Sequence, residues 1–490
     1  MENSNLARIR IDLKDFVHKM AYGIGQNWEV FDKPVFYPNT NTLDTMGVSS
    51  FGAIPHHTDQ RRWKQIFRHA EWLGINFIRL EIEQAMYMPE RFGLYDWDNN
   101  EMRNILQILD WCQEKEVDVF LTEMWHRCKW NFPEHVVSTI TQAPRDVKAW
   151  AESFSGMVDY LVNEKGYTCI KCVCIGNEPN PVIAGWPDDA VKQGEDFCMA
   201  DYYDRTDFNT ANVIKGSWDN GATLDDGLNA VTAAFKKIKL QIPIAGPDYI
   251  FANKFMPDER LGVYENHIYS ITKDTPPLYL DWIAGARSEG KPFFIGEYGV
   301  HIPFINTTYE KNLELAGWTL REANAGCDGF LRWNYMNRGA LDGNWQMIDS
   351  YDPDNDCLFE NVTPHPNTYY IQGMLSRYLS KRPTVVYSYS DMKYLDVATF
   401  LGQDNNVTII VVNNAQKDIH TKFELAGIQS ELKLYKYGLT PDAADQTDVT
   451  VNPLALADIT EDGEFTDVIQ NGGIYVYSTY LLNDSDAGII

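Results

Sequence analysis

Three observations predict an α/β fold, a (β/α)8 barrel followed by an all-β sandwich. Eight short apolar runs alternate with amphipathic helical stretches between residues 21 and about 380, and eight strand–helix units favour a closed barrel over an open sheet. Near Pro383 the helical periodicity stops, and short strand-like runs separated by turn residues take over. The 490 residues hold a barrel of roughly 250 residues or more and a second unit of about 100. The predicted division is a segment 1–20, a barrel 21–382 and a sandwich 383–490.

The candidate barrel strands, in order, are 21–25, 76–82, 117–122, 170–176, 242–246, 263–270, 292–296 and 329–335. Most are continuous apolar runs, as expected of parallel strands buried on both faces. Between them lie helical patterns. Thr58 is read as the cap of a helix carrying Trp63, Ile66, Phe67 and Ala70 on one face, with Gly74 to end it. Asp98 precedes a second helix with Met102, Ile105, Leu106 and Leu109 in period. Segments 145–163, 224–240, 279–288, 310–325 and 367–379 read similarly, whereas the helix expected near 251–261 has only a faint pattern. Connections 26–57, 180–220 and 336–366 are long and each follows a strand, which puts them on the face where barrels keep their chemistry. They carry Trp28, Trp186, Trp218 and Trp345, each as apt for an exposed stacking platform as for packing a loop. Residues 7–13 alternate with period two and are expected to add a strand to the sandwich.

Charge and cysteine content exclude several classes. Asp plus Glu outnumber Lys plus Arg by 69 to 42, a net charge of −27, with no basic run, so neither nucleic acid nor an anionic membrane is an expected partner. No apolar stretch approaches the roughly 20 residues of a membrane helix. The N-terminus shows no secretory signal, so a cytoplasmic location is expected, or a secreted one if a signal has been removed. The cluster CIKCVC at 169–174 reads as a buried strand rather than a metal motif, because no Cys/His pair follows at finger spacing. No metal and no organic cofactor are expected.

The chemistry lies at the strand ends. Strand four runs into IGNEPN, which puts Asn177 and Glu178 at its mouth, and strand seven ends FIGEYG, with Glu297 there. Two carboxylates on opposite strands of one barrel mouth can flank a glycosidic bond, one as acid then base, the other as nucleophile.

These residues resemble clan A of the glycoside hydrolases, whose members carry an acid/base and a nucleophilic Glu at the ends of strands four and seven. The motifs NEP and GEYG look like the two catalytic signatures of that clan. Arg79 in FIRLEI is similar to the strand-two Arg that supports the nucleophile, His267 and Tyr269 in HIY to the strand-six pair, and Trp333 in LRWNY to the strand-eight Trp under the sugar. The sandwich resembles that of the xylosidase–iduronidase and glucocerebrosidase-like families. After Arg79 this chain has Leu-Glu-Ile where a Pro-containing run is usual, and strand three ends TEMWH, which makes Trp125 and His126 further substrate-binding candidates. Glu81, Glu83 and Glu123 are read as solvated or paired carboxylates.

The resemblance implies retaining hydrolysis of an equatorial O-glycoside. Glu297 would be the nucleophile, its charge supported by Arg79 and Tyr269. Glu178 would be the acid/base, and Asn177 would bond the sugar 2-hydroxyl. The expected substrate is an oligosaccharide or glycoside, with exo action on short chains. The alternatives are an endo-acting β-glucanase, a transglycosylase on the same carboxylates, and a non-catalytic carbohydrate-binding protein. A metal-dependent amidohydrolase would want His-x-His after strand one, where this chain has IGQNW.

Overall fold

The structure is a computed structural model that describes residues 6–30, 54–125, 128, 130–131, 144–178, 223–250, 254–269, 271–300, 308–336, 345–352, 355, 357–403, 405–428, 432–444 and 449–489. Trp186, Trp218 and His126 lie outside these residues.

Eight parallel strands form the first sheet: β2 (Ile24–Trp28), β3 (Phe77–Glu83), β4 (Asp118–Trp125), β5 (Ile170–Cys174), β6 (Ala245–Ile250), β7 (Val263–Tyr269), β8 (Phe293–Gly299) and β9 (Phe330–Arg332). Their order is β5-β4-β3-β2-β9-β8-β7-β6, and a parallel bridge between Val173 and Ile244 closes the ring. The barrel expected from the sequence is therefore present. Its interior is layered by the period-two alternation of strands. Phe77, Phe120, Val263 and Phe294 belong to an apolar plug with Tyr22, Cys172 and Leu331. Two residues further along their strands, Arg79, Thr122 and Glu265 replace that plug with polar groups, and His267 follows Glu265. The site is thus built on a rigid apolar floor.

The helices flank this ring. Helix α1 (Gln60–Leu73) buries Trp63, Ile66, Ala70 and Leu73, and ends at Gly74, whose φ of 63° is the left-handed cap expected of it. Its start is capped by Asp59, accepting from Arg62 N at 3.2 Å, rather than by Thr58. The carboxylate is one residue nearer the free N–H groups. Helix α2 (Asn100–Glu114) is capped by Asn99, the residue after Asp98. The faint pattern before β7 yields no helix over 254–262. Two strands are displaced from expectation: the first runs 24–28 rather than 21–25, and the fifth 245–250 rather than 242–246. Trp28 is consequently a fully buried strand residue, not a loop platform. The connection 336–366 contains a hairpin, β10 (Ile348–Asp352) with β11 (Cys357–Pro364).

The second sheet has nine strands, mostly antiparallel, around its own apolar core. Strand β1 (Ala7–Lys19) lies inside it, antiparallel to β12 (Thr384–Ser390) and parallel to β15 (Ile419–Ala426). Strand β13 (Leu395–Leu401) packs on barrel helix α3 (Tyr309–Ala325), where Arg321 pairs with Asp396 at 2.6 Å and Asn324 donates to Val397 O at 2.7 Å. A Cβ on Gly317 of that helix would meet Asp396 Oδ2 at 2.4 Å, so the close approach requires glycine. Cys169, Cys172 and Cys174 are free and buried in or beside β5, as a packed strand requires. No helix among the described residues is long and apolar enough to cross a membrane.

Candidate active site

Arg79 organises the mouth of the barrel. It is fully buried and spends its donors on five residues. Its Nε donates to Thr122 Oγ1 at 2.9 Å. One terminal nitrogen donates to Glu297 Oε1 and to Asn27 Oδ1, the latter at 3.4 Å. The other donates to Asn177 Oδ1 at 3.0 Å and to Asp248 Oδ1 at 3.2 Å. Such a fork holds carboxylates in a fixed plane, which a lysine could not do. Glu81, 3.8 Å away and fully buried, is a paired carboxylate rather than a solvated one. Asn27 is itself held by the carbonyls of Gly296 and Leu331.

Glu297, near the end of β8, receives a second donor on its other oxygen: Tyr269 Oη, at 2.5 Å. Burial and the neighbouring carboxylates keep the Tyr269 phenol protonated, pushed well above its usual range. Gly296 precedes Glu297 because a side chain there would meet Glu265 Oε2 at 2.3 Å.

Glu178 follows β5 with a φ of 47°, a conformation uncommon for a residue with a Cβ. Asp248 Oδ2 accepts its backbone N–H at 2.6 Å, and its side-chain Oε1 lies 2.9 Å from His267 Nδ1. Burial and the charge of Glu297 push its carboxyl above the usual range, against the pull of His267. Burial alone would discharge His267, but Asp248 and Glu297 outweigh it, and its imidazole is held well above its usual value. One oxygen each of Glu178 and Glu297, together with a ring nitrogen of His267, lie within 4.8 Å of one another.

The structure therefore brings Asn177, Glu178, Arg79, His267, Tyr269 and Glu297 together. Trp333 directly follows β9, is buried, and donates its backbone N–H to Tyr298 O, one residue beyond Glu297. Trp125 is the last residue of β4, paired in register with Glu83, and its side chain is outside the described residues. Glu123 is buried and takes hydrogen bonds from Tyr87 at 2.6 Å and Trp150 at 2.5 Å, a structural pairing. Sequence reasoning missed Asn27, Thr122, Asp248 and Glu265. Asn27 and Asp248 sit where the strands extend past their apolar runs.

No known sequence family and no curated protein matches the chain. Solved structures do match in fold. A glycoside hydrolase family 30 subfamily 8 xylanase, Xyn30A from Clostridium acetobutylicum, superposes with a TM-score of 0.59 at 13% identity, over 96% of this chain and 99% of that one. A family 39 enzyme from Xanthomonas axonopodis pv. citri gives 0.60 at 10% identity over 98% of each chain. The endo-β1,6-glucanase BT3312 gives 0.59 at 12% identity, over 98% of this chain and 94% of that one. The chain shares its fold, over nearly its whole length, with these glycoside hydrolases.

Proposed function

We propose that the protein is a retaining glycoside hydrolase acting by double displacement. The observation that carries this reading is the closeness of Glu178 and Glu297, one oxygen of each lying within 4.8 Å of the other. A retaining pair stands about 5–5.5 Å apart, whereas an inverting pair needs about 6.5–9.5 Å to admit a water. Glu297, with a donor on each oxygen, is the nucleophile that attacks the anomeric carbon. Glu178, buried and biased toward its protonated form, gives its proton to the departing glycosidic oxygen. Water then attacks the glycosyl ester, Glu178 takes the proton of that water, and Glu297 is released. Asn177, its Oδ1 already engaged by Arg79, presents its amide N–H groups to the sugar 2-hydroxyl. Trp333 forms the floor under the sugar.

The sequence favours exo action on short glycosides. The solved neighbours include xylanases and an endo-β1,6-glucanase, and these support attack within a polymer. We adopt cleavage of a β-linked oligo- or polysaccharide, with exo action as the second reading. The test is a panel of aryl β-glycosides beside xylan, β1,6-glucan and their oligosaccharides, with Glu297→Ala as control. Release from at least one of them, lost in Glu297→Ala, supports the reading. Equal rates in the variant would overturn it. Products of intermediate length assign endo action, and monosaccharide alone assigns exo action.

A further inference from the structure

Among the described residues, Asp248 is the carboxylate that contacts both Glu178 and the ring of His267. It lies inside β6 with a φ of 61° and is 1% exposed. Its Oδ1 lies 2.9 Å from His267 Nε2 and 3.2 Å from Arg79, and its Oδ2 accepts the N–H of Glu178 at 2.6 Å. His267 reaches Glu178 through its other nitrogen. Asp248 thus holds Glu178 twice, through its backbone and through the imidazole ring.

We propose that Asp248 is a positioning residue for the acid/base step: its carboxylate fixes both the ring of His267 and the backbone of Glu178, and so sets how tightly Glu178 holds its proton. This rests on the glycosidase reading above. The groups facing His267 are Glu178 after β5, Asp248 on β6, Glu265 on its own strand, Glu297 on β8, and Arg79 on β3 across Asp248. Glu265 is fully buried, with its Oε2 3.7 Å from His267 Nε2, and burial beside Asp248 keeps it protonated. Asp248, by contrast, is ionised: burial opposes its charge, but His267 and Arg79 outweigh burial. It is therefore the anion that keeps the ring cationic on its Nε2 side. A cationic ring beside Glu178 restrains the rise of its pKa. Without Asp248 the ring loses the strongest of the charges that hold it cationic; the pull of His267 on Glu178 outweighs the direct repulsion from Asp248, so Glu178 holds its proton to higher pH.

The experiment combines two readouts. Ring nitrogen resonances of histidine-labelled protein, with His267→Gln to assign the signal, report the charge of His267. The wild type is expected to keep His267 cationic at pH 8, and folded Asp248→Asn to show it neutral there. The pH profile of kcat/KM in Asp248→Asn is expected to fall in height and to move its alkaline limb up by about one unit. A merely structural residue would lower the profile without moving the limb. A neutral His267 in the wild type at pH 7 overturns the proposal, and this holds even if Asp248→Asn does not fold. An unmoved limb in a folded variant also overturns it. Failure of the wild type to cleave any glycoside counts against the glycosidase reading instead, and the ring titration distinguishes the two because it needs no turnover.

Discussion

Tyr269 donates its hydroxyl to Glu297 Oε2 across 2.5 Å, on the oxygen that Arg79 does not hold. Each oxygen of the carboxylate therefore has its own donor, and neither donor can replace the other. A hydrogen bond to a charged group is worth about 1.5–3 kcal/mol, so Tyr269→Phe is expected to lower kcat/KM roughly ten- to hundredfold while leaving the fold intact. Steady-state kinetics on the best substrate of the panel, with near-ultraviolet circular dichroism as the folding control, check this. An unchanged kcat/KM would remove Tyr269 from the site.

Glu178→Ala should separate acid from nucleophile. Hydrolysis of poor leaving groups is expected to fall by about 10²–10⁴-fold, the usual worth of a general acid. Activated aryl glycosides need little protonation and should still form the glycosyl ester. Azide should then restore turnover and leave a glycosyl azide of retained configuration. If azide restores nothing, Glu178 does not hold the acid/base role.

The stability of the barrel should fall as pH rises from about 5 to neutrality. Burial pushes Glu322, on helix α3, up to about 7 from an ordinary 4.5, with one oxygen accepting the Leu278 N–H. Its folded value is raised, so the contribution is fully present below the unfolded value and is lost as pH rises through 7. Between pH 5 and 8 the loss is on the order of 2 kcal/mol. Urea unfolding of Glu322→Gln at both pH values should show a flatter dependence than the wild type. Parallel curves for the two proteins would refute the assignment.

Gly317→Ala tests the seam between barrel and sheet. In an exposed helix this change gains up to about 1 kcal/mol. Here the added carbon meets Asp396 Oδ2 at 2.4 Å and Asn414 Nδ2 at 2.9 Å, and Asp396 cannot swing away while Arg321 holds it. The variant is expected to lose about 1–3 kcal/mol. A gain measured by denaturant unfolding would mean that the seam yields.

Much of this site was legible because barrel strands announce themselves as apolar runs and catalytic groups follow at their ends. Glu178 and Glu297 were located that way, whereas Arg79 and the HIY pair, which lie within their strands, were singled out by the family resemblance. What failed was the exact length of strands. AYGIG ends in glycine, so the first strand was closed before Asn27. Pro247 reads as a strand breaker, yet β6 runs through it and carries Asp248 into the site. The polar layer above the apolar floor has no periodic signal of its own, because Thr122 and Glu265 interrupt runs that otherwise look like core. The first helix cap slipped by one residue because Thr58-Asp59 offers two adjacent capping side chains, and only the backbone turn selects between them.

Strand β1 occupies an interior place in the nine-stranded sheet, between β12 and β15. On the ribosome this strand emerges early and its two neighbours hundreds of residues later. Meanwhile the entire barrel is made and has time to close. The barrel is thus, topologically, an insertion between the first strand of the sheet and the rest. Until the chain reaches β12, β1 is an unpaired ribbon with both edges open, and one edge stays open until the chain passes Ala426; that interval is when a nascent copy is most exposed to pairing with a neighbour on the same message.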